Sequence, residues 1–170
     1  MDNKIIEKKI YKPIKTHILW NYEEKVNLPR LEIKHVKQGK KDCVPCCLAM
    51  LTGTDKTEFY DIDSCNPIEW SQRLKKYKMK LAFCNYEFRQ LYDYHEQLQK
   101  GTYLVGILKG DDIGMFNGTA NKHLIIIQDG YIYDSFVNCI YPIKLINSLY
   151  EQNFVNRLYR VVDNSYPHEI

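Results

Sequence analysis

The sequence has no uninterrupted apolar run close to the roughly 20 residues that a membrane-spanning helix requires. Residues 1–9 are mostly polar and charged, so they lack the apolar core and the small-residue cleavage site of a secretory signal peptide. These two absences argue against a membrane partner and favour a cytoplasmic protein. In the cytoplasm the six cysteines are expected to be reduced.

Internal repeats, low-complexity tracts and interdomain linkers are also missing. The 170 residues, 45% hydrophobic and 26% charged, therefore predict one globular domain with a single core. We expect residues 1–35 to form an extended arm with one or two strands, and residues 36–170 to form the body of the domain. The net charge of +3 is small and the lysines are interleaved with apolar residues, so we expect no nucleic-acid partner.

Apolar periodicity, capping residues and glycines divide the chain into predicted helices and strands. Two of the helices follow potential N-caps, Asp42 and Asn66, and the first is expected to end at Gly53. The predicted helices cover residues 43–52, 67–77, 88–100 and 142–150. The predicted strands cover a segment that ends near residue 36, residues 79–84, 103–108 and 155–162, and a hairpin at 123–136. Helices are concentrated early and strands late, so the expected fold class is α+β.

Cys43 stands at the start of the first predicted helix, where Pro45 is tolerated because it falls in the first turn. The helix dipole and the free N–H groups at a helix N-terminus favour a thiolate. Most cysteines of cytosolic proteins serve only as small buried apolar residues. Cys43 differs from these by its position, which makes it a candidate nucleophile near neutral pH.

The dipeptide Asp129-Gly130 predicts the register of the hairpin that contains His123 and Asp134. With a two-residue turn there, Ile125 lies opposite Asp134, which makes His123 and Asp134 diagonal neighbours on one face. Their Cβ atoms are then expected about 7 Å apart, within reach of an imidazole and a carboxylate. The hairpin thus predicts that Asp134 orients His123.

Together these residues have the composition of a cysteine nucleophile system. We expect Cys43 to attack a carbonyl carbon, His123 to take the thiol proton and later protonate the leaving group, and Asp134 to fix the imidazole tautomer. Gln38 precedes the predicted helix, and its side-chain N–H is expected to bind the developing oxyanion together with the backbone N–H of Cys43. This chemistry requires no cofactor and no metal.

Two motifs resemble those of the papain-like double-glycine peptidase family: Gln38…Asp42-Cys43-Val-Pro-Cys-Cys-Leu-Ala-Met-Leu-Thr-Gly53 and His123-Leu-Ile-Ile-Ile-Gln-Asp-Gly-Tyr-Ile-Tyr-Asp134. Members include the leader-cleaving domains of bacteriocin exporters and small free-standing relatives in bacteria and phages. The resemblance implies a papain-like fold in which the helix of the cysteine packs on an antiparallel β-sheet. It also implies an oxyanion role for the glutamine, with the cysteine as nucleophile, the histidine as base and the aspartate as its orienting residue.

The chain departs from the family pattern at three points. Val44 replaces the usual glycine after the nucleophile, Ser135 replaces the usual proline after the aspartate, and the spacing from Gln38 to Cys43 is one residue shorter than is common. We expect Val44 to narrow the cleft, which would favour small residues beside the scissile bond. The expected reaction is hydrolysis of a peptide or isopeptide bond in a peptide or protein substrate. Residues 110–122, which contain three glycines, are expected to form a loop that acts as a flap and helps to set specificity.

Three other interpretations remain open. Cys43-Val-Pro-Cys46 is a C-x-x-C motif before a helix, as in thioredoxin-like oxidoreductases, but it follows a polar segment rather than a core strand. A zinc site at Cys43, Cys46 and Cys47 lacks a second Cys or His pair at finger spacing. A papain-like groove that binds a peptide or protein without turnover is the non-enzymatic alternative.

Four histidines are expected to have no special role: His17, His35, His95 and His168.

Overall fold

The computed structural model describes residues 25–109, 122–137, 139–145, 150 and 153–170. They form two α-helices, α1 (Cys43–Thr52) and α2 (Pro67–Leu74). Six strands follow the two helices in the sequence: β1 (Met79–Phe83), β2 (Thr102–Lys109), β3 (Lys122–Gln128), β4 (Tyr131–Tyr133), β5 (Ile140–Pro142) and β6 (Asn153–Asp163). Short 3-10 turns lie at Lys56–Phe59, Lys75–Tyr77, Leu91–Tyr94, Gln97–Gln99 and Ile143–Leu145. The expected α+β class is therefore confirmed.

All six strands join one antiparallel sheet in the order β1-β6-β2-β3-β4-β5. The last strand in the sequence, β6, lies between β1 and β2, so β1 joins the sheet only when the C-terminal part of the chain is in place. Among the described residues no helix has the length and apolar character needed to cross a lipid bilayer.

The central strands are buried on both faces, because successive side chains of a strand point to opposite sides of the sheet. In β3, Leu124 and Ile126 pack with the α1 and α2 side chains, whereas Ile125 and Ile127 pack with the side chains of residues 91–98. This double burial explains why the isoleucine-rich run lacks an apolar–polar alternation.

The first two predicted helices are confirmed, but their predicted side-chain caps are wrong. Gly53 ends α1 in the left-handed conformation, with φ of 71°, as the glycine pattern predicts. Neither Asp42 nor Asn66 makes a side-chain capping hydrogen bond. Oδ2 of the Asp42 carboxylate instead binds the ammonium group of Lys56 at 2.8 Å, which orients the carboxylate toward that side chain.

The predicted helix at 88–100 is wrong. The segment forms two 3-10 turns, Leu91–Tyr94 and Gln97–Gln99. The carbonyl of Arg89 accepts a hydrogen bond from the backbone N–H of Val155 at 2.8 Å, and Gln90 forms a β-bridge with Phe154. These contacts with β6 hold residues 89–90 extended, which prevents a helix from starting where the apolar pattern begins.

Three other predictions have mixed outcomes. Residues 25–39 are extended, but no strand forms among them, so the strand expected near residue 36 is wrong for the described part of the arm. Their partly buried apolar side chains pack against the same core as α1, which ties this segment to the body of the domain. The predicted helix at 142–150 is replaced at its start by the 3-10 turn Ile143–Leu145. Residues 1–24, the predicted flap at 110–121 and residues 146–149 lie outside the described residues.

The predicted strands at 79–84, 103–108 and 155–162 are confirmed as β1, β2 and β6. The hairpin is confirmed with its register: Gln128 pairs with Tyr131, and both Asp129 and Gly130 have positive φ angles, 48° and 79°. A turn with two such residues matches the right-handed twist of the flanking strands. The ladder between β3 and β4 ends at Tyr133, so Asp134 is the first residue beyond it.

Candidate functional site

Cys43 is the first residue of α1 and is half-buried. One turn later in the helix, the thiol of Cys47 donates a hydrogen bond to the carbonyl of Leu124 at 3.3 Å. Because Leu124 follows His123 in β3, this contact fixes the start of the helix beside the imidazole. Local packing of buried residues therefore brings together two side chains that are 80 positions apart in the sequence.

His123 and Asp134 form the contact that the hairpin predicts. The imidazole Nε2 lies 2.6 Å from Oδ1 of Asp134. The same oxygen accepts the backbone N–H of Phe136 at 2.9 Å, and Oδ2 accepts the hydroxyl of Tyr150 at 2.8 Å. The Asp134 side chain is only 4% exposed, so three donors in a buried setting fix the plane of its carboxylate.

The thiol of Cys43 lies close enough to the imidazole of His123 for the ring to lower the pKa of the thiol by a hydrogen bond and by its charge. Since Nε2 faces Asp134, Nδ1 is the ring nitrogen that remains for the thiol. Burial works to raise the pKa of Cys43, but the His123 hydrogen bond, the backbone groups of Leu124 and Val44 and the imidazolium charge together lower it. The thiol is therefore easier to ionise than an ordinary cysteine.

The imidazole and the carboxylate shift in the directions that favour an ion pair. Burial works to lower the pKa of His123, but the bonds to Asp134 and Cys43 and their negative charges raise it to about 9. Burial likewise opposes ionisation of Asp134, yet the bonds from His123, Phe136 and Tyr150 hold the pKa of this carboxyl below its ordinary value. The site is thus arranged to hold a thiolate, an imidazolium and a carboxylate in one chain.

Gln38 reaches the site through Ser135. The backbone N–H of Gln38 donates to the carbonyl of Ser135 at 2.8 Å, and the Ser135 hydroxyl donates to Oε1 of the Gln38 side chain at 2.7 Å. The amide oxygen is therefore occupied, and both hydrogens of Nε2 remain without an acceptor among the described residues. The four residues predicted from the sequence lie in one connected arrangement, with Asp134 and Ser135 as consecutive links.

Several residues of the site could not be identified from the sequence. Tyr150 gives no pattern that connects it with Asp134, and Ser135 is visible only as a departure from the family proline. His35 is also part of the site, against the expectation of no special role: its Nε2 donates to the carbonyl of Asp134 at 2.7 Å. Phe136 packs its ring against His123 at 6.4 Å between centroids and is 67% exposed.

The other cysteines of the first helix have a different electrostatic setting. Burial is the main cause that raises the pKa of Cys46 to about 11, and burial also raises the pKa of Cys47. In the segment between residues 25 and 42 no strand precedes the C-x-x-C motif, and the sheet is antiparallel throughout. These observations differ from the βαβ context that a thioredoxin-like site requires.

Within the described ranges, no group of three or more His, Cys, Asp or Glu side chains is arranged to hold a metal ion. The side chain of Val44 is buried, in the same core cluster as other residues of α1. That its bulk narrows a cleft beside the thiol stays a prediction.

No protein-family model, no curated protein and no solved structure matches this chain.

Proposed function

We propose that this protein is a papain-like thiol hydrolase that cleaves a peptide or isopeptide bond. The observation that carries the proposal is the hydrogen bond of 2.6 Å between His123 and the buried carboxylate of Asp134, beside the half-buried thiol of Cys43 at the start of α1. A helix N-terminus at the thiol and an orienting carboxylate behind the base are the two features that arm a cysteine for acyl transfer.

The reaction starts from the thiolate of Cys43 and the imidazolium of His123. The sulfur attacks the carbonyl carbon of the scissile bond, a C–S bond forms, and the carbonyl electron pair moves onto oxygen. When the oxyanion collapses, the C–N bond breaks and His123 gives its proton to the departing amine. Water then attacks the thioester with His123 as base, which releases the acid and restores the thiolate.

The oxyanion is stabilised by N–H groups at the helix end and by the side chain of Gln38. The backbone N–H of Cys43 is one of the donors that have no partner within a helix. The amide of Gln38 presents Nε2 as its free end, since Ser135 occupies Oε1. Donors that are already oriented before the reaction cost no reorganisation when the charge develops.

The substrate class is supported by the resemblance of the two motifs to the double-glycine peptidases. A linear peptide or an isopeptide bond after small residues fits that resemblance, and no cofactor is needed. The non-catalytic binding groove receives no specific support, because the thiol is present and its pKa is lowered.

The proposal is tested by incubating the protein with a complex mixture of peptides that is rich in Gly, Ala and Ser pairs, and identifying new termini by mass spectrometry. We expect cleavage by wild type and none above background by Cys43→Ala or His123→Ala. Cys65→Ala is the matched control, because Cys65 is an exposed cysteine outside the site. Peptides retained by the protein but not cut would contradict the hydrolase and support the binding groove.

A further inference from the structure

We infer that Ser135 is a positioning residue that fixes the orientation of the Gln38 amide, so that Nε2 rather than Oε1 faces the developing oxyanion. This inference rests on the proposed function, and it assigns a role at a position where the resembled family carries proline. A hydrogen bond from Ser135 to the oxygen end of the amide decides which end is left for the substrate.

The two ends of the Gln38 amide would act oppositely on an oxyanion. A glutamine side chain has a donor end and an acceptor end of nearly equal shape. Rotation by half a turn would direct oxygen lone pairs at the oxyanion, and the interaction would become repulsive. The Ser135 hydroxyl donates to Oε1 at 2.7 Å. After rotation of the amide the hydroxyl could only accept from Nε2, and its own proton would have no other acceptor among the described residues at a fully buried position, which opposes the rotation.

Ser135 is itself held in a rigid position. Ser135 is fully buried, and its carbonyl accepts the backbone N–H of Gln38 at 2.8 Å. The same two residues are therefore joined by a main-chain and a side-chain hydrogen bond. Gln38 alone is half-buried and has three rotatable side-chain bonds before the amide, so without this second bond it would sample several rotamers.

Adjacent residues of the chain bind His123 and Gln38. Asp134 holds His123 and the adjacent Ser135 holds Gln38, so one peptide unit sets the distance between the base and the oxyanion donor. The backbone N–H of Phe136 binds Oδ1 of Asp134 on the other side of the serine, which fixes the short turn. The turn after β4 thus serves both halves of the reaction.

The test compares two reactions of the same thiol. In acylation by para-nitrophenyl acetate, the thiolate attacks the ester carbonyl, the electron pair moves onto oxygen, and its return expels para-nitrophenolate and leaves an acetyl thioester. In alkylation by iodoacetamide, the thiolate displaces iodide and no oxyanion forms. Only acylation should depend on Gln38 and Ser135, whereas both reactions depend on the thiolate of Cys43.

Four variants separate positioning from a merely structural effect: Ser135→Ala, Gln38→Ala, the double variant of both, and Gln38→Glu. We expect acylation to fall about a hundredfold in Gln38→Ala and about tenfold in Ser135→Ala. The double variant should be no slower than Gln38→Ala, because the serine acts only through the amide. Gln38→Glu keeps the acceptor for Ser135 but has no N–H, so it should lose at least as much as Gln38→Ala.

Ser71→Ala is the matched control, since Ser71 is also a buried serine whose hydroxyl is hydrogen-bonded, to Leu81 and Glu169, but lies outside the site. It should leave both reactions within about twofold of wild type, as should Ser135→Ala for alkylation. If Ser135→Ala does not fold, Ser135→Cys replaces it, because a thiol fills the site of the hydroxyl and is a weaker donor. Acetylation and alkylation are then read by mass spectrometry at Cys43 itself, so that labelling at position 135 is counted separately.

The inference is overturned if Ser135→Ala acylates as fast as wild type, if its loss multiplies with that of Gln38→Ala, or if alkylation falls by the same factor as acylation. The proposed function has a separate criterion. If wild type acylates no faster than Cys43→Ala, the thiol is not an acyl acceptor, and the hydrolase and the inference fail together.

Discussion

Asp134 uses every oxygen it has. Oδ1 accepts from His123 and Phe136, Oδ2 accepts from Tyr150, and the backbone carbonyl accepts from His35. A buried carboxylate with this many donors stays ionised and keeps one orientation, and removing one donor leaves part of its desolvation cost uncompensated. Asp134, which binds the imidazole of His123, is thus itself held by three further donors, from His35, Phe136 and Tyr150.

Tyr150→Phe removes the donor to Oδ2 and leaves the ring. We expect the free energy of unfolding to fall by about 1–2 kcal/mol at neutral pH, because a buried charged acceptor loses its hydrogen bond. The hydroxyl helps to hold the pKa of Asp134 below 3.8, so its contribution is present above that pH and is lost as the pH falls further. Urea denaturation at several pH values should therefore show the largest difference from wild type near neutrality and a smaller one in acid.

Tyr133→Phe is the control for this substitution. Tyr133 is a neighbouring buried tyrosine whose hydroxyl has no hydrogen-bond partner among the described residues. Its replacement should change the free energy of unfolding by less than about 0.5 kcal/mol at every pH. Equal effects of the two substitutions, or a Tyr150→Phe deficit that does not change with pH, would show that the hydroxyl does not stabilise the carboxylate.

At this scale the sequence predicts contacts whose geometry is local. The pair of His123 and Asp134 follows from a two-residue turn and the period of a strand, and its 2.6 Å contact follows from that register. Tyr150 lies beyond β5 and a 3-10 turn, so its approach to Asp134 depends on how those elements fold back. No periodicity in the sequence carries that information.

At the scale of elements, the buried side chain of Gln128 holds the extended segment before α1 at Leu31. The amide of Gln128 accepts the backbone N–H of Leu31 and donates to its carbonyl, both at 2.9 Å, which replaces the ladder that a strand would have formed. Thr102 donates to the same amide oxygen at 2.9 Å. Since this segment continues into Gln38, its anchoring bears on the site as well as on stability.

Gln128→Leu removes these hydrogen bonds with little change in volume. We expect the free energy of unfolding to fall by about 2–3 kcal/mol, because two backbone groups of Leu31 and the hydroxyl of Thr102 lose their partner. Relative to wild type, amide hydrogen exchange in the variant should become faster at Leu31 but change less at Ile126, whose N–H belongs to the sheet. Gln72→Leu on the exposed face of α2 is the control, with an expected change below about 0.5 kcal/mol.

Unchanged stability and unchanged exchange at Leu31 in Gln128→Leu would show that Gln128 does not hold the extended segment.

The hydrogen bonds of Gln128 also explain why the sequence predicts a strand that does not form. The apolar alternation of residues 31–36 fits a strand, but the partner is a side chain instead of another strand. The wrong helix at 88–100 has a similar cause, because the pairing of Gln90 with Phe154 overrides the local apolar spacing.

At the scale of the whole molecule, the sheet separates two large apolar clusters, and the site lies where the β3–β4 hairpin meets α1. The arrangement β1-β6-β2 places the last strand between the first two, so β1 is paired only through the C-terminal strand. The class α+β follows from the first two helices and from β1, β2, β6 and the β3–β4 hairpin, which the sequence predicts correctly. The order of strands does not, since it depends on long-range pairing that leaves no local pattern.

The central claim is that folding arms one of six cysteines by bringing it to His123. The pKa of Cys43 is lowered, whereas burial raises the pKa of Cys46, Cys47 and Cys84. The pKa of His123, raised to about 9, sets the upper end of the range in which the thiolate faces an imidazolium. His123→Ala removes the partner and should return the thiol toward ordinary behaviour.

The most direct measurement is the rate of iodoacetamide labelling at each cysteine from about pH 5 to about pH 9, read by mass spectrometry, for wild type and His123→Ala. The account predicts that Cys43 reacts fastest, that its labelling titrates well below about pH 8.5, and that the substitution slows it at neutral pH. The exposed Cys65 and Cys139 should be unaffected by the substitution. Labelling of Cys43 that matches these two cysteines, or that does not respond to His123→Ala, would contradict the account.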